Sequence, residues 1–81
     1  MNKITESMEL KDFINKIAEQ LEIENANVLN ENTKFRELEE WSSLSVMELI
    51  ALYDDEFDKQ IGDVDIKKCS TIDDLYKLAT E

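Results

Sequence analysis

Two adjacent hydroxyls, Ser42 and Ser43, are the residues of this sequence best placed to accept a chemical group. They stand in "EEWSSLSVMELIALYDDEFD", residues 39 to 58, at the head of an apolar stripe that runs into a cluster of acids. A helix beginning here turns unpaired backbone N–H groups and the positive end of its dipole toward those serines, a setting that favours a phosphate. An N-cap uses only one hydroxyl, so one of the pair is spare. Capping alone is enough to explain a lone Ser-Ser-Leu triplet, and the surroundings must decide.

Other chemistry is thin. The sequence has no histidine, which removes Ser-His and Cys-His pairs and imidazole ligation of metals. Carboxylates can serve as acid and base, but a chain of 81 residues leaves little room for a cleft between them. We therefore expect no enzyme activity. Cys69 is the single cysteine, too few for an internal disulfide and best read as a small core residue. The acidic run "DDEFDKQIGDVD" does not fit a calcium loop, because Lys59 takes the sixth position, where glycine is needed, and Asp65 the twelfth, where glutamate is needed. No metal site is expected.

Twenty acids against nine bases give a net charge of −11. Like charges repel, so nucleic acid and anionic membranes are poor partners, whereas proteins with basic patches are good ones. Apolar residues make up 42%, too many for a disordered tail, and none of their runs is long enough to span or insert into a membrane. The start, "MNKITESMELKD", turns polar too early for a signal peptide. We expect a cytoplasmic monomer folded as one domain over residues 1–81, burying roughly 60–65% of its unfolded surface.

The elements that must position the serines are helices. There is no proline and only one glycine, Gly62, and the β-branched residues do not alternate, so the chain reads as all-α. Leu10, Phe13, Ile14, Ile17 and Leu21 predict a first helix from about Ser7 to Leu21, with Ser7 as its N-cap. Residues 22–42 form a long connection, pinned by Ile23, Val28, Leu29, Phe35, Leu38 and Trp41. A second helix runs from about Ser43 to Phe57, roughly 22 Å long. Gly62 marks a turn, "DVDIKK" a short helical segment, and "STIDDLYKLATE" a last helix capped by Ser70, with Asp73 at the capping-box position and Ile72, Leu75, Tyr76 and Ala79 facing inward. The result is a small bundle of three main helices and one short one.

On the second helix, Val46, Leu49, Ile50, Tyr53 and Phe57 supply a sufficient core stripe. Leu44, Met47 and Ala51 form a surplus apolar row flanked by Glu48 and Asp55, an oily centre with a charged rim that suits docking. Packing beneath the long connection is the alternative; the carboxylates favour docking for Leu44 and Met47, and Ala51 fits either. Asp54, Asp55, Glu56 and Asp58 crowd the negative end of the helix dipole, where each costs about 0.3–1 kcal/mol and Lys59 relieves only part of it. Recognition by a basic partner accounts for that placement.

Taken together, "SSL" at 42–44, "MELIALYDDEFD" at 47–58, "IGD" at 61–63 and "KKCSTIDDLYKL" at 67–78 give a spacing that resembles the acyl carrier protein family from Asn32 to Ala79. The resemblance implies a stand-alone carrier with 4′-phosphopantetheine on Ser43, Leu44 being the family's following leucine. Partners would be a phosphopantetheinyl transferase and acyl-processing enzymes with basic docking patches, in fatty-acid, polyketide or related specialised biosynthesis. Two departures stand out: Ser42 replaces the usual Asp, keeping the cap but not the charge, and "EEW" replaces the Gly that often precedes the motif. They point to a specialised carrier and leave an aminoacyl or peptidyl cargo open. The competing reading is an acidic helical adaptor without a prosthetic group.

Overall fold

A computed structural model gives the structure of the protein and describes residues 8–80. Among the described residues there are four α-helices: α1 (Leu10–Gln20), α2 (Ser45–Glu56), the short α3 (Asp63–Lys67) and α4 (Ile72–Thr80). Two 3₁₀ turns, Ala26–Val28 and Phe35–Glu37, lie in the long connection between α1 and α2. The expected all-α arrangement of three main helices and one short one holds, with a single isolated bridge, Lys34 to Thr71, as the only extended pairing among the described residues.

The core is aromatic at its centre. Phe13 of α1 meets Tyr53, Phe57 and Tyr76 with ring centroids 6.4, 5.7 and 5.5 Å away, in edge or tilted arrangements that suit their quadrupoles. Ile17, Leu49, Ile66, Ile72 and Leu75 close around them, all fully buried. The Tyr53 hydroxyl donates to the Leu75 carbonyl at 2.5 Å, tying α2 to α4. Burial, helped by Cys69, pushes the phenol far above its ordinary range, so it stays a neutral donor.

Several boundaries differ from the sequence reading. The first helix begins at Leu10 after Glu9, which makes no side-chain cap; the proposed cap Ser7 lies outside the described residues. Its end is a Schellman turn, with Glu22 N–H on the Glu19 carbonyl and Ile23 N–H on the Ala18 carbonyl. Glu22 occupies the left-handed position at φ 59°, where glycine is usual. The chain leaves α2 through a second left-handed residue, Asp58 at φ 53°. Gly62, expected to mark the turn, instead precedes α3 with an extended backbone, and its N–H donates to Asp65 Oδ2 at 2.9 Å.

The cap of α4 is displaced by one residue. Thr71 Oγ1, not Ser70, accepts the Asp74 N–H at 3.3 Å, and Asp74 Oδ2, not Asp73, accepts the N–H groups of Thr71 and Ser70. Both registers satisfy the sequence pattern. The long connection decides between them, because the Lys34–Thr71 bridge holds Thr71 extended and the carbonyls of Thr33 and Glu31 take the N–H groups of Ile72 and Asp73. Asp73 pairs with Lys77 at 3.2 Å instead. The connection is anchored by buried Ile23, Leu29 and Phe35 and half-buried Leu38 and Trp41, but Val28, expected among the pins, is exposed.

Candidate functional site

The first turn of α2 is built from three serines, two of which consume each other's hydrogen bonds. The Ser42 carbonyl accepts the Ser45 N–H at 3.0 Å, which opens the turn. Ser42 Oγ accepts the Leu44 N–H at 3.2 Å, and Ser45 Oγ accepts the Ser42 N–H at 2.9 Å. Only half of a capping box is present: Ser45 reaches back to the Ser42 N–H, as Glu or Gln normally does, but the Ser42 hydroxyl bonds the Leu44 N–H and not that of Ser45. Ser45 is fully buried beneath it. Regular helix begins at Ser45, two residues later than expected, and its N-cap is Leu44 and not Ser42; Ser42 instead holds the turn just ahead of the helix through the Leu44 N–H.

Ser43 stands between them, exposed, and its hydroxyl has no hydrogen-bond partner among the described residues. It occupies the first position of the turn, beside the orphan N–H groups and the positive end of a 12-residue helix. No histidine is available to ionise it, so the hydroxyl is suited to receiving a group that another protein activates and delivers. An open surface and a favourable dipole fit an anionic phosphodiester at this point.

Below the serines, α2 divides into faces. Ser45, Leu49, Leu52, Tyr53 and Phe57 are buried, while Val46 and Ile50, assigned to the core stripe, are only half-buried. Leu52 was missed because the assigned stripe already met the needs of a helical face; the axis of burial is rotated toward it. Leu44 and Met47 are 62% and 67% exposed, and Ala51 is exposed with them. They do not pack beneath the long connection. Met47, Ile50 and Ala51 also line a groove of about 530 Å³ with Asp54 of α2 and Gln60 and Ile61 of the following loop.

Glu48 is half-buried, and its backbone carbonyl accepts the Gln20 amide of α1 at 3.0 Å. Asp55 is exposed beyond it. The acids at the end of α2 have a cationic neighbour that the sequence did not announce: Lys16 of α1 pairs with Glu56 at 3.0 Å. Asp54, Asp55 and Asp58 remain exposed around it. Among the described residues no group of acids and cysteine is arranged to hold a metal ion, and no helix is long and apolar enough to cross a membrane.

This arrangement agrees with a family comparison. A family model described as a phosphopantetheine attachment site matches residues 11–79. The chain belongs to that family. Phosphopantetheine carrier domains hold 4′-phosphopantetheine covalently on a serine and are carriers, not catalysts. They generally work with phosphopantetheinyl transferases and acyl-processing enzymes. When bound, the group supplies a flexible arm that ends in a thiol, while the reactions are those of the partners. Among curated proteins and among solved structures, none matches this carrier domain.

Proposed function

We propose that Ser43 is the attachment serine and that residues 1–81 form one carrier unit that delivers acyl thioesters to partner enzymes. The observation that carries this reading is the division of labour at the head of α2: the Ser42 hydroxyl accepts from Leu44, the Ser45 hydroxyl accepts from Ser42, and the exposed Ser43 hydroxyl has no partner among the described residues. Leu44, Met47 and Ala51 form the apolar centre of the docking face, with Glu48 and Asp55 as its acidic rim. The exposure of Leu44, Met47 and Ala51 on the helix that follows Ser43, with Glu48 half-buried and Asp55 exposed further along, supports this assignment. Partners would present a basic patch to that rim, which gives them steering and register more than raw affinity. Repulsion between copies at −11 favours a monomer. A reducing, cytoplasmic setting suits both the free Cys69 and an arm that ends in a thiol.

A thiol count tests the proposal. Cys69 is buried, and that burial, with Asp74 adding to it, pushes its thiol up, so the folded, unmodified protein should react slowly with a thiol reagent. After incubation with coenzyme A and a broad-specificity phosphopantetheinyl transferase, one fast-reacting thiol should appear per chain. Its failure to appear would defeat the proposal.

A further inference from the structure

One cation is used in a way the carrier reading leaves unexplained. Arg36 belongs to the long connection, yet its guanidinium reaches the end of α3, donating from Nη1 to the Cys69 carbonyl and from Nη2 to the Ile66 carbonyl, both at 2.6 Å. Ile66 stands in the last turn of α3, where its carbonyl also accepts the Cys69 N–H, and Cys69 follows two residues after the helix, at the end where positive charge is favoured. Helix α3 has only five residues, too few to persist by propensity. The same guanidinium lies 4.8 Å over the ring of Phe35, which is fully buried and meets Trp41 edge-on at 5.0 Å. Trp41 directly precedes the Ser42–Ser45 turn. Contacts therefore run unbroken from the end of α3, through Arg36, Phe35 and Trp41, to the turn that displays Ser43.

We propose that Arg36 is a positioning residue for the modification of Ser43. By locking the connection onto the end of α3, it holds Trp41, and through it the capped turn, in the register that presents the Ser43 hydroxyl. This rests on Ser43 being the attachment serine. Arginine is needed because its planar fork bridges two carbonyls while sitting over an aromatic ring; the compact ammonium of lysine cannot do both. The link is therefore one of geometry and not of charge.

Arg36→Lys keeps the charge and the aliphatic stem, Arg36→Gln removes the charge, and Tyr76→Phe serves as the control. The control deletes a hydrogen bond of similar length, from the Tyr76 hydroxyl to the Met8 carbonyl at 2.6 Å, which ties α4 to the chain just before α1 and makes no bond to the turn. In the unmodified protein, amide exchange at Ser42 and Ser45 should rise about tenfold in both Arg36 variants, beyond any rise in Tyr76→Phe at equal global stability. In phosphopantetheinylation, both should lower kcat about fivefold with little change in KM, since misplacing a nucleophile is costly while the α2 docking face is untouched. Exchange at Ser42 and Ser45 that matches the control, or a defect confined to KM, overturns the proposal. So does wild-type behaviour in Arg36→Lys, which would make the residue a matter of charge. A wild-type protein that takes no phosphopantetheine defeats the Ser43 reading instead, and the exchange measurement then decides alone whether Arg36 holds the turn.

Discussion

Ser42, Ser43 and Ser45 are chemically alike and differ only in what their hydroxyls touch. Replacing Ser42 with alanine removes the acceptor of the Leu44 N–H, and replacing Ser45 removes that of the Ser42 N–H; each should cost about 0.5–2 kcal/mol. Ser43→Ala removes no hydrogen bond among the described residues and should stay within about 0.5 kcal/mol. Urea unfolding of the three variants checks this order, and a Ser43→Ala loss equal to that of Ser45→Ala would contradict it. Asp74 offers a residue-scale test in pH. The N–H groups of Ser70 and then Thr71 donate to its carboxylate and hold it below the ordinary value of 3.8. The stability it contributes is thus complete above that value and is lost as pH falls through its lowered one. Asp74→Asn should lose stability at neutral pH and show a flatter acid limb between about pH 5 and pH 2 in urea midpoints. Parallel curves for variant and wild type would sink this account.

Among the elements, α2 carries the functional argument, because it must face the core and a partner at once. Leu49 is fully buried and Met47 is 67% exposed two residues earlier. Leu49→Ala should cost about 2–5 kcal/mol as a core truncation, and Met47→Ala should cost far less. Glu48→Lys should leave the fold intact and slow modification of Ser43, because it sets a positive charge against the partner's basic patch. A wild-type rate in Glu48→Lys would remove the acidic rim from that encounter. The two-face character of α2 was legible in the sequence because apolar residues outnumber what one stripe needs, and the exposure of Leu44 and Met47 followed from it, whereas Ala51 fitted either face. Its rotation toward Leu52 was not legible, since Val46 and Ile50 satisfy the same periodicity. The cap of α4 was hidden for a different reason. Ser70 with Asp73 and Thr71 with Asp74 are equivalent as local patterns, and only the distant Lys34–Thr71 pairing selects the second. Arg36 gave no local signal, because its partners are backbone carbonyls 30 and 33 residues away. Ser45 did give one, as the second serine of a Ser-x-x-Ser pattern, but it was overshadowed by the Ser42–Ser43 pair.

Across the whole molecule, charge sets the terms. A chain of −11 with most of its acids exposed repels itself, and the described ion pairs, Lys16–Glu56, Lys67–Asp63 and Lys77–Asp73, lie at the surface, where each contributes little. Moderate salt or Mg²⁺ should therefore raise the melting temperature at neutral pH by screening the repulsion; a flat or falling melting temperature would contradict this. The same excess of acid gives partners with basic patches their long-range attraction, so rates of modification should fall as salt rises even while stability climbs. The central claim is that one hydroxyl, Ser43, receives the arm, and the mass of the intact protein tests it most directly. After incubation with coenzyme A and a broad-specificity transferase, wild type and Ser42→Ala should each gain the mass of one phosphopantetheine, and Ser43→Ala should gain none. A mass gain that persists in Ser43→Ala and disappears in Ser42→Ala would contradict the account.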